Sequence, residues 1–367
     1  MKSEEKGGND KKPILKGYTL KELKDYFSSI DEKRFRGEQI FNWLYSHLID
    51  SYEEMQNVPK TLRERLSELT GPLNTLKLVT TKSSPQTGTK KYLFETLDGH
   101  KIESVIIPEI KRTTLCISTQ VGCPLDCKFC ATGLMGYKKN LSAGEIFDQY
   151  KFTVKDLEEN SIKNIVYMGM GEPLLNYDET LKSLEIFAND LTKGAKLKRI
   201  TVSTAGIAPK IVELADSGMR VKLALSLHSC FEDIRSKLMP INEKYSLKEN
   251  LHAIRHYTKQ TRTRITFEYI MISGINDREE DFIELVKLCK SMPCKINVIP
   301  FNSLAHIKPS GFSAELRPSP FERVEAFVQA LRDQNIIVTV RYTQGEDIAA
   351  ACGQLAIVEN EDEKINS

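Results

Sequence analysis

The pattern of apolar and polar positions divides the chain into three regions. From Leu20 to Leu69, apolar residues recur at the three- and four-residue spacing of amphipathic helices. From Leu76 to Pro108 the period shortens towards two, and Asp98-Gly99 marks a hairpin turn. After residue 111, strand-like apolar runs alternate with helical ones. We therefore expect a small helical unit, a β extension and an alternating β/α domain.

The alternating region predicts an α/β fold. Seven strand-like runs, from TTLCIST to IIVTVRYT, are separated by six helical ones, which is typical of parallel strands with crossover helices. No Gly-x-Gly-x-x-Gly follows the first strand, so we expect a complete or partial (β/α) barrel, with a doubly wound sheet as the competing fold. The expected division is a flexible tail over 1–13, a helical accessory domain over 14–75, a β extension over 76–110, a barrel with a catalytic C-terminal segment over 111–355, and an acidic tail over 356–367.

Composition narrows the class of protein. Of the 367 residues, 40% are hydrophobic and 28% charged, which is typical of a globular chain rather than a disordered one. No apolar run approaches the roughly 20 residues that a bilayer requires, so we expect no membrane contact and a cytoplasmic location. Basic and acidic residues number 52 and 50, so any nucleic-acid surface must be local. Eight cysteines are too sparse for a disulfide scaffold and indicate metal binding or catalysis in a reducing compartment.

Three cysteines crowd into the segment Cys123-Pro-Leu-Asp-Cys127-Lys-Phe-Cys130, directly after the first predicted barrel strand. The carboxyl end of a strand is where barrel enzymes carry their chemistry. Three thiolates on one short loop can hold three irons of a cubane cluster and leave the fourth iron open to a substrate or cofactor. The alternatives are a zinc site completed by Cys116 or a histidine, and accidental clustering.

Further motifs follow in order along the chain. They are Cys116, Gly169-Met170-Gly171-Glu172-Pro173, Ser226-Leu227-His228, Pro300-Phe301-Asn302 and Ala351-Cys352-Gly353. The cysteine spacing is the signature of radical S-adenosylmethionine enzymes, and the whole set resembles the RlmN and Cfr group of RNA methyltransferases. The resemblance covers nearly the whole chain. It implies a radical-SAM partial (β/α)6-type barrel with an N-terminal helical accessory domain that binds RNA.

The resemblance also implies the cofactors. One 4Fe-4S cluster would be held by Cys123, Cys127 and Cys130, and two molecules of S-adenosylmethionine would be used per turnover. The cofactor-binding residues implied by the matched motifs are Gly171, Glu172, Ser203, Ser226, Leu227, His228 and Asn302. Without the resemblance, His228 and Asn302 are equally well explained as side chains that satisfy buried backbone groups.

Three further residues receive catalytic roles from the resemblance. Cys352 would accept a methyl group and, after hydrogen abstraction, link covalently to carbon 2 of an adenine, which is too electron-poor for polar methyl transfer. Cys116 would resolve this adduct by forming a disulfide with Cys352, and Glu103 would accept the ring proton. On its own pattern, Glu103 is a solvated edge-strand residue, and each cysteine is a small buried hydrophobe.

The implied substrates are 23S rRNA and tRNA, in the latter at the position next to the anticodon. Two sets of basic residues are candidates for binding phosphate. The first lies in the helical unit, where a solvated helix face is an equally good interpretation. It consists of Lys33, Arg34, Arg36, Lys60, Arg63 and Arg65. The second lies around the barrel and consists of Lys111, Arg112, Lys128, Lys138, Lys139, Lys196, Lys198 and Arg199.

The other implied partners are a reductase or flavodoxin-type electron donor and a thiol reductant, and we expect a monomer. Methylation at carbon 8 of the same rRNA adenosine is the first alternative, because that activity shares the same motifs. A non-catalytic, zinc-containing RNA-binding protein is the alternative from a different class. A radical enzyme that adds a methylthio group to tRNA is less favoured, because no second compact cysteine cluster supplies sulfur.

Overall fold

A computed structural model describes residues 12–110, 112–157 and 162–357. Lys111 and most of the two tails expected at 1–13 and 356–367 lie outside these ranges. Within them, no helix is both long and apolar enough to cross a membrane.

The N-terminal region is helical, as its periodicity predicts. It contains α1 (Leu20–Ser29), α2 (Phe35–Asn42), a π turn (Trp43–His47), a 3-10 turn (Tyr52–Glu54) and α3 (Lys60–Leu69). Helix α1 begins with a capping box, in which the side chains of Thr19 and Glu22 each accept a backbone N–H from the other residue. Leu23 and Phe27, four residues apart, lie on its fully buried face.

Three antiparallel strands follow: β1 (Leu76–Ser83), β2 (Lys90–Thr96) and β3 (Lys101–Glu109). Asp98 and Gly99 lie in the turn between β2 and β3, and Gly99 has a φ of 81°, so the hairpin prediction is confirmed. Strand β3 pairs with β4 (Arg112–Ile117), the first of the parallel strands. The β extension is therefore continuous with the main sheet.

The rest of the chain alternates parallel strands with helices. The remaining elements are β5 (Gln120–Gly122), α4 (Ala131–Leu134), β6 (Tyr137–Asn140), α5 (Ala143–Asp156), β7 (Ile162–Tyr167), α6 (Tyr177–Ala188), β8 (Ile200–Thr204), α7 (Ala208–Asp216), β9 (Lys222–Ser226), α8 (Glu232–Leu238), α9 (Leu247–Thr261), β10 (Ile265–Met271), α10 (Glu279–Lys290), β11 (Cys294–Pro300), α11 (Phe312–Glu315), α12 (Phe321–Asp333) and β12 (Val338–Val340). The sheet continues in the order β4, β7, β8, β9, β10, β11, β12, and two short strands, β5 and β6, form a separate ribbon.

This strand order selects the barrel over the doubly wound sheet. Each parallel strand pairs with the next one along the chain, whereas a doubly wound sheet reverses its order at a switch point. Six inter-strand steps separate β4 from β12, which is roughly 29 Å in a flat sheet. Cys116 of β4 and Arg341, which directly follows β12, nevertheless line one cavity and interact electrostatically. The sheet therefore curls into a partial barrel, as expected.

A buried ion pair joins the helical unit to the barrel. Lys16 lies 3.5 Å from the Asp148 carboxylate of α5, and both side chains are fully buried. Thr75 donates two hydrogen bonds to the same carboxylate, from its backbone N at 2.6 Å and from Oγ1 at 2.7 Å. Burial lowers the pKa of Lys16 to about 8, and the Asp148 charge partly offsets this effect.

We predict that Asp148→Asn destabilises the protein by about 3–5 kcal/mol, because it leaves the buried Lys16 ammonium without a counter-charge. Urea unfolding followed by circular dichroism measures the change. Glu213→Gln is the matched control, since it removes a carboxylate from the exposed Lys210–Glu213 pair and should change stability by less than about 1 kcal/mol. Equal losses in the two variants would contradict a structural role for the buried pair.

Candidate active site

A cavity lies where the carboxyl ends of the parallel strands converge. All seven strands contribute to its wall, either from their last residues or from the residues just after them. The open space, including its mouth, measures about 1200 Å³. This is the end of a (β/α) barrel at which enzymes place their chemistry. Its lining includes Cys116, Cys123, Cys127, Phe129, Cys130, Gly169, Gly171, Glu172, Ser203, Ser226, His228, Glu268, Arg341, Cys352 and Gly353.

The three clustered cysteines lie together on one loop of the cavity wall. This loop, residues 123–130, is called the cluster loop. It runs from the end of β5 to the start of α4, so the short ribbon separates it from the first parallel strand. Backbone hydrogen bonds fix both of its ends, from Cys123 N to Gly136 O at 2.9 Å and from Ala131 N to Gly353 O at 2.7 Å. All three cysteines are free thiols, and burial raises the pKa of each, that of Cys123 to about 12.

This donor set fits an iron–sulfur cluster better than zinc. In the described parts of the chain, no three His, Cys, Asp or Glu side chains are arranged to hold a single metal ion. One tetrahedral zinc, with bonds of about 2.3 Å, requires its sulfurs to lie within roughly 4 Å of one another, whereas a cubane binds each sulfur through a different iron. The buried thiols of Cys123 and Cys127 and the half-buried thiol of Cys130 line a common cavity, and metal binding would displace their protons, so they fit the cluster.

The Gly-Met-Gly-Glu-Pro segment follows β7 and brings its backbone close to the cluster loop. Gly171 has a φ of 99°, and a Cβ atom there would lie 2.5 Å from the Cβ of Gln120, so only glycine fits. Glu172 is buried, and its carboxylate accepts backbone N–H groups from Ala205 at 2.7 Å and Leu174 at 3.0 Å. Burial raises the pKa of Glu172 to about 7, although these hydrogen bonds lower it.

His228 has a defined hydrogen-bonding state. Its φ is 55°, and its Nδ1 accepts the backbone N–H of Ile270 at 3.1 Å, so the ring proton lies on Nε2. Burial lowers the pKa of His228 to about 3, and the neighbouring Arg235 charge adds to this shift, so the ring is neutral. Phe129 of the cluster loop packs edge-on against it with ring centroids 4.6 Å apart. The ring is thus a neutral donor in the cavity wall, beside the half-buried Ser203 and Ser226.

Two of the seven predicted cofactor-binding residues do not line the cavity. The Leu227 side chain is fully buried in the core, and its backbone N donates to Glu268 O at 3.0 Å. Asn302 is also buried. Its Nδ2 donates to Cys352 O at 3.0 Å, and its Oδ1 accepts from Thr343 at 2.8 Å. In this conformation Asn302 positions the backbone that carries Cys352.

Cys116 and Cys352, separated by most of the barrel sequence, meet in the same cavity. Cys116 lies on β4, where burial raises the pKa of its thiol to about 12. Cys352 is exposed on the C-terminal segment, which comprises residues 341–357 after β12. Enough protein surrounds its sulfur to raise the thiol pKa to about 11, although the Arg341 guanidinium opposes the shift. Arg341 interacts with both thiols, and Arg341 Nη1 also contacts Met168 Sδ at 3.3 Å.

Glu103 is buried beneath the C-terminal segment rather than solvated on an edge strand. Its Oε1 lies 2.9 Å from Lys91 Nζ, and its Oε2 accepts the Ala356 N–H at 3.2 Å. Burial raises the pKa of Glu103 above its usual range, and Lys91 opposes the shift. Glu103 contacts the C-terminal segment beside the cavity and is not one of the cavity-lining residues.

Sequence reasoning missed three charged residues at this site. Arg235 of α8 is fully buried and binds the strand ends, with donor atoms 3.2 Å from Leu227 O and 3.1 Å from Ser226 O. Glu268 is buried with Oε2 unpartnered among the described residues, and Arg341 faces it electrostatically. Glu268 gives a detectable signal, because it is the one charged residue in the buried strand ITFEYIM.

Comparisons with known proteins agree with this geometry. A family model for the radical SAM superfamily matches residues 117–286, and one for the ribosomal RNA large subunit methyltransferase N-terminal domain matches residues 14–71. The chain is 40% identical over 353 residues to the dual-specificity RNA methyltransferase RlmN of Alcanivorax borkumensis, covering 93% of this chain and 89% of that protein. It is 40% identical to the probable RlmN of Bacillus subtilis, covering 96% and 95%.

A solved structure extends the match to three dimensions. The radical SAM methyltransferase from Sphaerobacter thermophilus superposes with a TM-score of 0.86 at 40% sequence identity, covering 94% of this chain and 99% of that one. The agreement therefore includes the helical unit, the barrel and the C-terminal segment together. From this likeness along almost its whole length, the chain belongs to the RlmN family of radical SAM RNA methyltransferases.

Proposed function

We propose that this enzyme methylates carbon 2 of adenosine in 23S rRNA and, next to the anticodon, in tRNA. The observation that carries this proposal is that Cys116 and Cys352 line the same cavity as the three clustered cysteines. A methyl-carrying cysteine and a resolving cysteine must both reach one ring carbon, and a single cavity allows this. The RlmN relatives favour carbon 2 over carbon 8.

The residues present fit the cofactors of a radical SAM enzyme. Cys123, Cys127 and Cys130 would hold the 4Fe-4S cluster, which together with S-adenosylmethionine supplies a methyl group and a 5'-deoxyadenosyl radical. For the bound S-adenosylmethionine, we assign the wall formed by Gly171, Glu172, Ser203, Ser226 and His228. We assign the backbone of Leu227 and the amide of Asn302 to the edge of this site, because each borders a wall residue.

The C-terminal segment holds Cys352 over the cluster loop. Gly353 O accepts the N–H of Ala131, and Leu355 O accepts the hydroxyl of Thr132 at 2.6 Å. Gly353 has a φ of 82°, which permits the turn directly after Cys352. Since Asn302 also binds Cys352 O, the backbone that carries the thiol is held in place before any substrate arrives. This preorganisation reduces the entropy lost when the reacting atoms meet.

The charges near the two thiols suit their different roles. Both pKa values are raised by burial, so both thiols are protonated at neutral pH, and the Arg341 guanidinium is the group that stabilises a thiolate. Cys352 carries the methyl carbon to the ring. Cys116 then attacks the Cys352 sulfur and releases the product with formation of a disulfide, which a thiol reductant returns to two thiols.

Glu103 is assigned as the acceptor of the ring proton. Its raised pKa makes it a stronger base than a solvated carboxylate, and Lys91 keeps the charged form accessible. Its hydrogen bond to Ala356 N couples it to the segment that carries Cys352.

Several parts of the proposal extend beyond the site. We assign 14–75 to an RNA-binding accessory domain, 76–110 to a β extension and 111–355 to the catalytic barrel. A flavodoxin-type protein with its reductase is assigned as electron donor, because the cycle needs single electrons at low potential. We place the enzyme, as a monomer, in the cytoplasm, where thiol reductants reverse the Cys116–Cys352 disulfide.

The function is tested by nucleoside mass spectrometry of rRNA and tRNA after reaction with the anaerobically reconstituted enzyme. We expect 2-methyladenosine in both RNAs. Detection of 8-methyladenosine instead would show that the enzyme has the alternative carbon-8 activity. A colourless protein with stoichiometric zinc and no methylated product would instead support a non-catalytic RNA-binding protein.

We predict that Cys352→Ala abolishes methylation while its iron and sulfide content stays that of wild type, because Cys352 carries the methyl group and does not bind the cluster. Cys123→Ala should lose the cluster itself. Cys289→Ala, at a half-buried thiol of α10 outside the cavity, is the matched control and should keep both properties. Methylated product from Cys352→Ala would eliminate this residue as carrier.

For Cys116→Ala we predict accumulation of a covalent protein–RNA adduct, because the carbon–sulfur bond to Cys352 is no longer resolved. Denaturing gel electrophoresis with labelled RNA detects the adduct as a band of reduced mobility. Cys294→Ala is the control and should release its product normally. Free turnover in Cys116→Ala would show that another group resolves the intermediate.

Removal of the Arg341 charge should make Cys352 less reactive. Because the guanidinium lowers the pKa of this thiol from the value that burial alone imposes, Arg341→Met raises it further above about 11. Below the pKa, each unit of rise lowers the thiolate fraction about tenfold. The rate of Cys352 alkylation by iodoacetamide from pH 7 to 9 measures the effect, and Arg341→Lys should retain most of the wild-type rate. An unchanged rate in Arg341→Met would show that the two groups are not coupled.

A further inference from the structure

The inner face of the parallel sheet carries basic residues at its amino-terminal end. Arg112, Lys222 and Lys295 each lie four residues before a residue that lines the cavity, namely Cys116, Ser226 and Ile299. Side chains alternate along a strand, so each of the three shares the inner face with its cavity residue. Arg199 stands directly before β8 and four residues before Ser203, another residue of the cavity wall.

We call these four residues, Arg112, Arg199, Lys222 and Lys295, the amino-terminal rim. Strand register places two of them near one level, because Lys295 pairs with Thr266 and Thr266 pairs with Ala224, two residues after Lys222. Four residues of strand correspond to roughly 13 Å, which separates the rim from the cavity wall. The outer face of the same strands is apolar and buried, as at Leu115 and Leu223.

The rim charges are close enough to repel one another. Burial lowers the pKa of Lys222, and the charges of Arg112 and Arg199 add to this effect. Burial also lowers the pKa of Lys295, and its cationic neighbours Lys222, Arg341 and Arg112 outnumber the single opposing carboxylate, Glu268. Crowded like charges raise the free energy of the protein alone and favour an anionic partner.

Internal partners neutralise only one rim residue. Arg112 forms an ion pair with Glu109, but neither Lys222 nor Lys295 has an ion-pair partner among the described residues. Five residues of the two basic sets singled out from the sequence, by contrast, do have ion-pair partners. In the helical unit, Arg34, Lys60 and Arg65 pair with Asp25, Glu64 and Glu32. Around the cluster loop, Lys128 pairs with Asp126, and Lys139 pairs with Asp98 and Glu145.

The opposite end of the barrel is covered by protein. The cluster loop and the C-terminal segment bind each other there, through Ala131 N to Gly353 O and Thr132 Oγ1 to Leu355 O. The inner face between the rim and the cavity is polar, with Thr201 and Thr114 half-buried and Glu268 and Arg341 near Cys116. Polar side chains therefore lie between the rim and the two thiols, on a face that also carries the buried Ala224.

We propose that the amino-terminal rim binds backbone phosphates of the substrate RNA, so that the target nucleotide reaches Cys116 and Cys352 along the inner face of the sheet. The inference rests on the proposed RNA substrate and adds the direction from which that RNA approaches. A nucleotide splayed from its stack presents a phosphate at one end and a base at the other. The rim supplies cations for the first, and the cavity supplies the reacting groups for the second.

The test is the salt dependence of RNA binding by the cluster-loaded enzyme. The probe is a tRNA transcript with adenosine next to the anticodon, and fluorescence anisotropy measures its affinity at several KCl concentrations. The double variant Lys222→Gln with Lys295→Gln should reduce the slope of log affinity against log salt by about 1.5, since each lost phosphate contact removes roughly 0.7–0.9. Lys210→Gln with Lys287→Gln, on the outer helices α7 and α10, removes the same charge and should leave the slope unchanged.

Equal slopes for the two double variants would contradict phosphate binding by the rim. Iron content and circular dichroism verify that each variant is folded and loaded. A second measurement uses the wild-type holoenzyme and needs no variant. Bound tRNA should protect Lys222 and Lys295 from acetylation but not Lys210 and Lys287. Equal labelling of all four lysines would also contradict RNA binding by the rim. A wild-type enzyme that methylates no RNA contradicts the proposed function itself, whereas methylation with an uninvolved rim contradicts only this inference.

Discussion

The curvature of the parallel sheet is the constraint on which the active site depends. Its strands are adjacent in chain order, so residues from the first and last strands meet only because the sheet curls. Right-handed strand twist favours this curling, and the helices covering the outer face hold it. Cys116 of β4 and Arg341 after β12 thereby reach one cavity. A flat sheet with the same sequence would carry the same cavity-lining groups but would not bring its first and last strands together.

The second requirement is that the C-terminal segment lies across the cluster loop. It has little regular structure, and its position depends on a few hydrogen bonds to Asn302, Ala131 and Thr132. Glu103 and Lys91 of the β extension also reach it, through Ala356 N and Ala349 O. Three parts of the chain thus hold the segment that carries Cys352, which explains why an exposed thiol on an irregular segment has a defined place.

Much of the fold could be predicted from the sequence because its signals are local. The seven parallel strands are short apolar runs, and the hairpin has an Asp-Gly turn. The three clustered cysteines lie within one loop, so their spacing alone indicates shared chemistry. The ribbon of β5 and β6 could not be predicted in this way, because strands of three and four residues carry too few positions to show a period.

The charged groups of the site were less predictable because their roles arise from tertiary contacts. Arg235 has the sequence context of a surface helix residue, yet folding buries it against the ends of β9. Asn302 and His228 could be singled out as site residues, but the groups they bind, Cys352 O and Ile270 N, come from segments distant in sequence. Burial of Glu103 likewise depends on the C-terminal segment, more than two hundred residues later.

The buried joint between Lys16, Asp148 and Thr75 has a consequence for substrate choice. A buried ionic contact between the helical unit and the barrel opposes rotation of the helical unit, so this unit keeps a constant distance from the reaction centre. An RNA that touches both must then match that distance by its own tertiary shape. The joint therefore allows two unrelated RNAs to be accepted, as long as each presents its adenosine at the same distance from the helical unit.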